Sequence, residues 1–333
     1  MTEPAAIQAP CPWHRETLAQ LFRRREEGRL PHALLLAGPA GIGKSRLALA
    51  LVQLLFCEAP RGGLACGRCH GCHMSTAGTH PDLYLAEPAE QGKAIRIDQV
   101  RELVDFASRT AQYGGYRVAL IMPAQAMNRA AQNALLKTLE EPGANTLILL
   151  VSDQISQLLP TVRSRCQRQL LPVPPSAQAE PWLAQQLAVP ERAAPLLVAA
   201  GGAPLKALAL EQADWFASRA PLVQALARLA AGQASVVIVA RQLAEHDTTA
   251  VLEACYGWVW QALRMAQGDA PVADAELLKP LQQLARAPAM RLLDFAQALA
   301  RARRLWLSGA NPNRELLLEQ ALMVLAGQLD LPA

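Results

Sequence analysis

The chain contains a glycine-rich segment that matches the phosphate-binding pattern G-x-x-x-x-G-K-[ST] at every position: Gly38-Pro39-Ala40-Gly41-Ile42-Gly43-Lys44-Ser45. Glycines let successive backbone N–H groups turn inward around a phosphate, and the N-terminus of a following helix adds a favourable dipole. In this pattern the lysine reaches the β- and γ-phosphates and the hydroxyl holds Mg²⁺. The segment therefore predicts an ATP site with Mg²⁺, in which Lys44 and Ser45 take these roles. A glycine-rich turn without chemistry is the alternative.

Hydrolysis of ATP requires more than this loop, because an acid at the tip of a neighbouring strand normally helps to hold Mg²⁺. The apolar strand expected over 116–122 is followed by Pro123, Ala124 and Gln125, none of which is a carboxylate. Asp153 follows a second apolar strand and is a substitute candidate, although a turn residue at a strand end is the more common role. The sequence therefore predicts nucleotide binding with an incomplete apparatus for hydrolysis.

Four cysteines have the spacing C-x8-C-x2-C-x2-C: Cys57, Cys66, Cys69 and Cys72. Gaps of two residues let consecutive thiolates converge on one ion, and four thiolates satisfy tetrahedral Zn²⁺ at about 2.3 Å each. An iron–sulfur cluster is the main alternative, but the C-x3-C-P continuation of such a run is missing. His70, His73 or His80 could replace one cysteine as a ligand. A closed Cys₄ site has no open coordination position, so the predicted zinc is structural.

The elements that position these groups follow from hydrophobic periodicity in the first half of the chain. Short apolar runs indicate strands, and apolar residues at i, i+3, i+4 and i+7 indicate helices. One such helical face comprises positions 100, 103, 104 and 107, with Asp98 as the expected N-cap. Alternating strands and helices predict a parallel sheet with helices on both faces. The expected strands are 33–37, 82–86, 116–122 and 146–152, and the expected helices include 46–56 and 124–141.

The pattern changes at residues 171–175, where prolines stand at 172, 174 and 175. Proline can extend neither a helix nor a central strand, so we expect a linker here. Beyond it the periodicity predicts helices over 181–187 and 193–199, a break at 201–204, and further helices from 214 to 329.

Whole-chain composition limits the classes of protein that the sequence represents. The 333 residues carry 32 basic and 28 acidic side chains, a net charge of +4 that disfavours a protein that coats nucleic acid. No apolar run is long enough to span a membrane and no apolar leader is visible, so a cytoplasmic protein is expected. Seven cysteines, four of them clustered, favour a metal site over a disulfide scaffold. The other three, Cys11, Cys166 and Cys255, are expected to be isolated buried thiols.

A phosphate loop whose helix leads into this cysteine cluster resembles the clamp-loader subunits of bacterial DNA polymerase III. Further stretches carry the resemblance: 133–142 (NALLKTLEEP), 164–166 (SRC), 95–101 (IRIDQVR), and Asn311-Pro312-Asn313 leading into 316–319. The resemblance covers most of the chain, is strongest over 30–175 and thins between 210 and 290.

The resemblance implies an α/β P-loop AAA+ module plus an all-α C-terminal domain. The nucleotide-binding domain would span 1–168, with the Cys₄ zinc module at 57–72, and a small helical lid would span 169–208. A helical collar over 209–333 would join this chain to the other clamp-loader subunits in a hetero-pentameric ring. Through the complex, the chain would act on the sliding clamp and primed DNA, without a membrane. Nothing here resembles a polymerase active site, so nucleotidyl transfer is not assigned to this chain.

Two departures from the family pattern indicate which kind of subunit this is. The ATP-hydrolysing motor normally carries an Asp-Glu pair after the strand that corresponds to 116–122, where this chain has Pro123-Ala124. The motor's sensor arginine corresponds to Leu205, with Lys206 beside it. We therefore expect a largely passive member of the ring, and a motor subunit is the alternative.

The resemblance also assigns roles to two polar residues. In this family the arginine of the S-R-C motif, here Arg165, points at the γ-phosphate of ATP bound by the adjacent subunit and stabilises the charge that develops there. A structural salt bridge is the alternative for Arg165. Ser152 has the place of a sensor residue at a strand end, with a plain strand-end cap as the alternative. Trp13 and His32 lie in segments that flank the adenine in related modules.

Overall fold

The structure is a computed structural model that describes residues 10–90, 93–113, 115–212, 215–268, 274–307 and 312–329. The chain forms two compact units. The first extends to Trp182 and includes Gly202–Lys206, and the second comprises Leu183–Gly201 and the chain from Ala207 onward. The division into domains 1–168, 169–208 and 209–333 stays a prediction.

A parallel sheet is the centre of the first unit, and its strands are β1 (Ala33–Ala37), β2 (Leu83–Ala86), β3 (Arg117–Ile121), β4 (Thr146–Ser152) and β5 (Gln167–Leu170). The strand order is β2-β3-β4-β1-β5, and all neighbouring pairs are parallel. Every residue of β1, β3 and β4 is buried, as expected for a parallel sheet covered on both faces. The predicted strands are confirmed. Apolar periodicity did not reveal β5, because its side chains are mostly exposed.

The helices in this part of the chain are α1 (Arg15–Glu26), α2 (Lys44–Phe56), α3 (His70–Thr76), α4 (Ile97–Ala107), α5 (Arg129–Glu140), α6 (Pro160–Arg165) and α7 (Ser176–Ala184). Both faces of the sheet are covered, one by α1 and α2 and the other by α4, α5 and α6. Alternate residues of a strand point to opposite faces. Leu34 and Leu36 of β1 accordingly belong to the apolar cluster that contains residues of α1 and α2, whereas Leu35 belongs to the cluster with α4 and α5.

Two helix starts differ from the prediction. α4 begins after Arg96, so Asp98 lies in the first helical turn and is not the N-cap. The Arg96 backbone N–H donates instead to the side chain of Gln99 (3.0 Å). α5 begins at Arg129 rather than at 124, because Asn128 caps it by accepting from the backbone N–H three residues on (2.8 Å). A short 3₁₀ turn, Ala124–Ala126, precedes this cap.

The remaining helices are α8 (Ala193–Ala199), α9 (Pro204–Gln212, which begins in the first unit), α10 (Trp215–Ala230), α11 (Val236–Ala244), α12 (Thr248–Ala266), α13 (Ala275–Leu284), α14 (Ala289–Leu307) and α15 (Arg314–Leu325). In the second unit α10 packs on α13 and α11, α14 packs on α12, and α15 packs on α14 and α11. Arg219 of α10 and Asp274, the N-cap of α13, form a buried ion pair at 2.7 Å. The helix expected over 181–187 is the end of α7, which begins five residues earlier and ends at Ala184.

No single described helix is long and apolar enough to cross a membrane. One bent pair, Pro190–Ala199 with Pro204–Gln212, passes that test of length and composition when its two helices are joined. In the motif at 311–313, Asn311 lies outside the described residues. Asn313 caps α15 by accepting from the backbone N–H of Leu316 (3.1 Å).

Candidate nucleotide and metal sites

The predicted phosphate loop joins the end of β1 to the start of α2. Gly38 donates its N–H to the Ser152 carbonyl oxygen (3.3 Å), which ties the loop to the end of β4. Gly43 caps α2 in the left-handed conformation (φ 91°), and a Cβ there would lie 2.6 Å from the Sγ of Cys11. Glycine is therefore required at this position. The first N–H groups of α2 have no intrahelical acceptor, and groups of this kind can donate to the oxygen atoms of an anion such as phosphate.

Lys44 is held inside this loop by two oxygen atoms of its own chain. Its side chain is only 3% exposed, and its Nζ lies 2.5 Å from Oδ1 of Asp153. The ammonium also donates to the carbonyl oxygen of Pro39. Asp153 thus contacts the lysine of the phosphate loop, a role that goes beyond a turn at a strand end.

Gln125 fixes the position of Asp153. Its side-chain amide donates to Oδ2 of Asp153 (3.4 Å), and its amide oxygen accepts from the Asp153 backbone N–H (3.1 Å). Gln125 follows β3 and Asp153 follows β4, so the two residues meet at the carboxyl ends of neighbouring strands.

The segment before α1 lies against the phosphate loop. Trp13 donates its indole N–H to the Ile42 carbonyl oxygen (2.8 Å) and packs edge-on against Trp182, with ring centroids 5.4 Å apart. His14 is 2% exposed, and neither of its ring nitrogens has a hydrogen-bond partner among the described residues. Burial and, second, the positive charge of Lys44 lower the pKa of His14 to about 4. The imidazole therefore stays neutral beside the lysine.

The first residues of α9 also lie next to the phosphate loop. The backbone N–H of Leu205 donates to the Gly41 carbonyl oxygen (2.9 Å), and a Cβ on Gly41 would lie 2.6 Å from the Cβ of Lys206. Leu205 is the position that corresponds to the sensor arginine of a motor subunit, and Lys206 is beside it. The structure brings them next to the phosphate loop.

The other polar residues singled out in the sequence have partners in this chain. The buried hydroxyl of Ser152 accepts from the backbone N–H of Gln154 (3.2 Å), which is the geometry of a strand-end cap. The ring Nε2 of His32 lies 3.0 Å from the carbonyl oxygen of Leu139. Arg165 ends α6 with a side chain that is 34% exposed, and its Nε donates to Oε1 of Glu140 (2.6 Å).

The four predicted ligand cysteines come together between the end of α2 and the start of α3. Their sulfur atoms all lie within 4.8 Å of one another, and those of Cys66 and Cys72 are 4.0 Å apart. Tetrahedral zinc with bonds of about 2.3 Å needs sulfur atoms about 3.8 Å apart. The cluster could therefore hold a metal ion, and the described residues of this group include no histidine.

Backbone N–H groups lie around these sulfur atoms. Sγ of Cys69 caps α3 by accepting from the Cys72 N–H (3.4 Å), and Sγ of Cys57 accepts from the Cys66 N–H (3.2 Å). The N–H of Arg68 makes the largest contribution to lowering the pKa of Cys66 to about 6, so this thiol favours the charged form that binds metal. Burial has the opposite effect on Cys57 and Cys72, whose pKa values it raises.

The elements around the cluster are closely packed. A Cβ on Gly71 of α3 would lie 2.1 Å from the Phe56 carbonyl oxygen at the end of α2, so only glycine permits this contact. The ring of His80 stacks on Phe56 with centroids 3.7 Å apart, and its Nδ1 accepts from the Asp82 backbone N–H (3.1 Å). His80 therefore has a packing role.

Two family models, each described as DNA polymerase III delta subunit, match the chain, one over residues 13–174 and one for the C-terminal part over residues 213–326. The DNA polymerase III subunit delta′ of Pseudomonas aeruginosa is 40% identical over 323 residues, 94% of this chain and 96% of that protein. This chain belongs to the delta-prime family of DNA polymerase III subunits. The delta-prime subunit of Yersinia pestis is 36% identical over 320 residues, 94% of each chain. A solved Thermotoga maritima structure, of a protein related to the gamma subunit, covers 95% of this chain and 99% of its own at 18% identity and a TM-score of 0.48.

In this delta-prime family member, the spacing of sequence motifs gave the positions of the loop between β1 and α2 and of the cysteine cluster. The predicted parallel sheet with helices on both faces, followed by a helical C-terminal region, is confirmed. The motifs did not reveal His14 or Gln125. A histidine and a glutamine without a characteristic spacing give no signal along the chain, and their contacts arise only when strands and loops meet. For Asp153 the sequence offered a substitute acid for Mg²⁺ or a strand-end turn, and it gave no signal for the contact with Lys44.

Proposed function

We propose that this chain is a scaffold subunit of a bacterial replicative clamp loader in the cytoplasm. It would take one place in a hetero-pentameric ring of clamp-loader subunits, held by its helical C-terminal region. Through that ring it would help to place a sliding clamp on primed DNA. Similarity to delta-prime subunits over almost the whole chain supports this role.

The observation that carries the proposed mechanism is the position of Arg165 at the exposed end of α6. Its guanidinium bonds to Glu140 and to the carbonyl oxygen of Thr161 (3.0 Å). An ion pair this exposed contributes at most about 1 kcal/mol, so the guanidinium can leave Glu140 at small cost. The γ-phosphate of ATP on an adjacent subunit is a stronger anionic partner, and a guanidinium there stabilises the transferred phosphoryl group.

The phosphate loop of this chain would bind ATP with Mg²⁺. Lys44 would hold the β- and γ-phosphates and Ser45 would hold the cation. We do not assign hydrolysis to this site, because Pro123 and Ala124 stand where an acid is expected after β3. ATP would then stabilise the ring interface, and the chemistry would take place at a neighbouring subunit that receives Arg165.

The cysteine cluster would bind one Zn²⁺ with a structural role. All four coordination positions of a tetrahedral ion would be filled by Cys57, Cys66, Cys69 and Cys72. The ion would hold the segment between α2 and α3 in place, and no substrate could reach it.

The test is the DNA-stimulated ATPase of a complex reconstituted from all its subunits. Arg165→Ala should lower the rate about tenfold or more, because an arginine finger contributes a factor of 10³ to 10⁵ at its site. Arg165→Lys should not restore it, because an ammonium lacks the planar fork of donors. The control is Arg168→Ala, which removes an exposed arginine from the nearby strand β5. A wild-type ATPase rate in the Arg165→Ala complex would exclude the arginine-finger role of Arg165. ATP hydrolysis by the isolated chain would instead favour a motor subunit.

A further inference from the structure

The end of β4 places a carboxylate against the lysine of the phosphate loop. The register of the sheet explains this contact. Ala37, the last residue of β1, pairs with Ser152, the last residue of β4. The residue after Ser152 therefore emerges beside the loop that follows Ala37. Asp153 is that residue, and its carboxylate lies 2.5 Å from Nζ of the buried Lys44. The anion that faces Lys44 thus belongs to the chain itself.

The neutral amide of Gln125 makes this placement of Asp153 possible. It donates to the carboxylate at 3.4 Å and accepts from the Asp153 backbone N–H at 3.1 Å. An amide can donate and accept at the same time, whereas a carboxylate has only acceptors and would repel Asp153. The lack of an acid after β3 and the presence of Asp153 after β4 are therefore linked features of one site.

We infer that Asp153 acts as an internal counter-anion of Lys44, which competes with the phosphates of a nucleotide and lowers the affinity of the loop for ATP. The inference rests on the nucleotide binding proposed above. A phosphate oxygen that bonds to Nζ of Lys44 comes within a few ångströms of the carboxylate, and like charges repel strongly at that distance in a partly buried site. ATP must therefore displace the carboxylate, and the 35% exposure of Asp153 gives it solvent to turn into.

A second role for the same carboxylate makes the opposite prediction. If Asp153 replaced the missing acid after β3 and held the Mg²⁺ of a bound nucleotide, removal of its charge would weaken ATP binding. If it is a counter-anion, removal of the charge strengthens binding. The sign of the change in affinity therefore separates the two roles.

The experiment is calorimetric titration of the full-length protein with ATP and Mg²⁺. Asp153→Asn removes the charge at nearly constant shape and should bind ATP about tenfold more tightly. Asp153→Glu keeps a carboxylate and should show no such gain. Asp98→Asn, at an exposed position of α4, changes the net charge equally and controls for long-range effects. Lys44→Ala in the Asp153→Asn background should abolish binding, and thermal unfolding verifies that each variant is folded.

Five results are possible. Tighter binding by Asp153→Asn, without a gain in Asp153→Glu, supports the inference. Two outcomes overturn the inference while nucleotide binding through Lys44 stands. In one, the wild type binds ATP and Asp153→Asn binds it equally or more weakly. In the other, Asp153→Glu gains as much ATP affinity as Asp153→Asn. If only Asp153→Asn binds, the inference is supported and nucleotide binding by the natural chain is removed from the proposed function. If neither protein binds, both are overturned.

Discussion

At the scale of single residues, His14 predicts a stability that depends on pH. Its pKa is lowered to about 4 in the folded chain by burial and by Lys44, whereas an unfolded histidine titrates near 6.5. Between these values the unfolded chain binds a proton that the folded chain does not bind. The stability that comes from neutral His14 is therefore fully present above about pH 6.5 and is lost as the pH falls towards 4.

We expect this effect to cost about 2 kcal/mol of unfolding free energy between pH 7 and pH 5. Glutamine does not titrate in this range, so His14→Gln should not lose this part of the unfolding free energy between pH 7 and pH 5. Urea denaturation of both proteins at pH 7 and pH 5 measures the difference between them. Equal losses in the two proteins would show that His14 is accessible to protons in the folded chain.

The contrast between Lys44 and Asp153 explains which site residues a sequence can reveal. Lys44 belongs to an eight-residue motif whose function depends on local backbone geometry, so its spacing alone identifies it. Asp153 contacts Lys44 from more than one hundred residues away along the chain. That contact depends on β4 lying beside β1, and no local pattern encodes the neighbour of a strand.

At the scale of elements, the cysteine cluster predicts a metal-dependent fold for residues 57–76. α3 has seven residues, and a helix this short is not stable in water without tertiary support. We expect one zinc per chain. Cys72→Ser should lose most of this zinc, because Cys72 is fully buried and its sulfur lies 4.0 Å from that of Cys66. Metal analysis and hydrogen exchange across this segment check the prediction.

Cys255→Ser is the matched control for this variant. Cys255 is also buried, but it lies on α12 of the second unit. Its replacement should leave the zinc content and the exchange of residues 57–76 unchanged. Full zinc occupancy in Cys72→Ser would mean that another residue completes the ligand set.

Element boundaries were harder to predict than the elements themselves. Apolar periodicity gave β1 and β4 at their observed ends, because both strands are buried on both faces. The starts of α4 and α5 were wrong because capping depends on which side chain reaches a free N–H group. Gln99 and Asn128 do so here, whereas the sequence suggested Asp98 as the cap of α4 and apolar periodicity extended α5 back to 124.

At the scale of the whole molecule, each compact unit contains a buried ion pair that links its own elements. In the first unit, Asp82 accepts from Arg117 of β3 (3.0 Å) and from the backbone N–H groups of Gln112 and Tyr113. In the second, Arg219 of α10 pairs with Asp274 at 2.7 Å. Removal of one partner from such a pair leaves a buried charge without compensation and costs about 3 kcal/mol or more.

These pairs predict that the two units lose stability separately. Asp82→Asn should speed hydrogen exchange in the sheet of the first unit, and Arg219→Met should do so in α10 and α13 of the second. Each variant should leave the slowest-exchanging residues of the other unit at wild-type rates, because each unit is compact and has buried apolar residues of its own. Hydrogen exchange with mass spectrometry resolves the units within one sample. If either substitution accelerated exchange equally in both units, the chain would unfold as one cooperative body. The two units would then not differ in their free energies of unfolding.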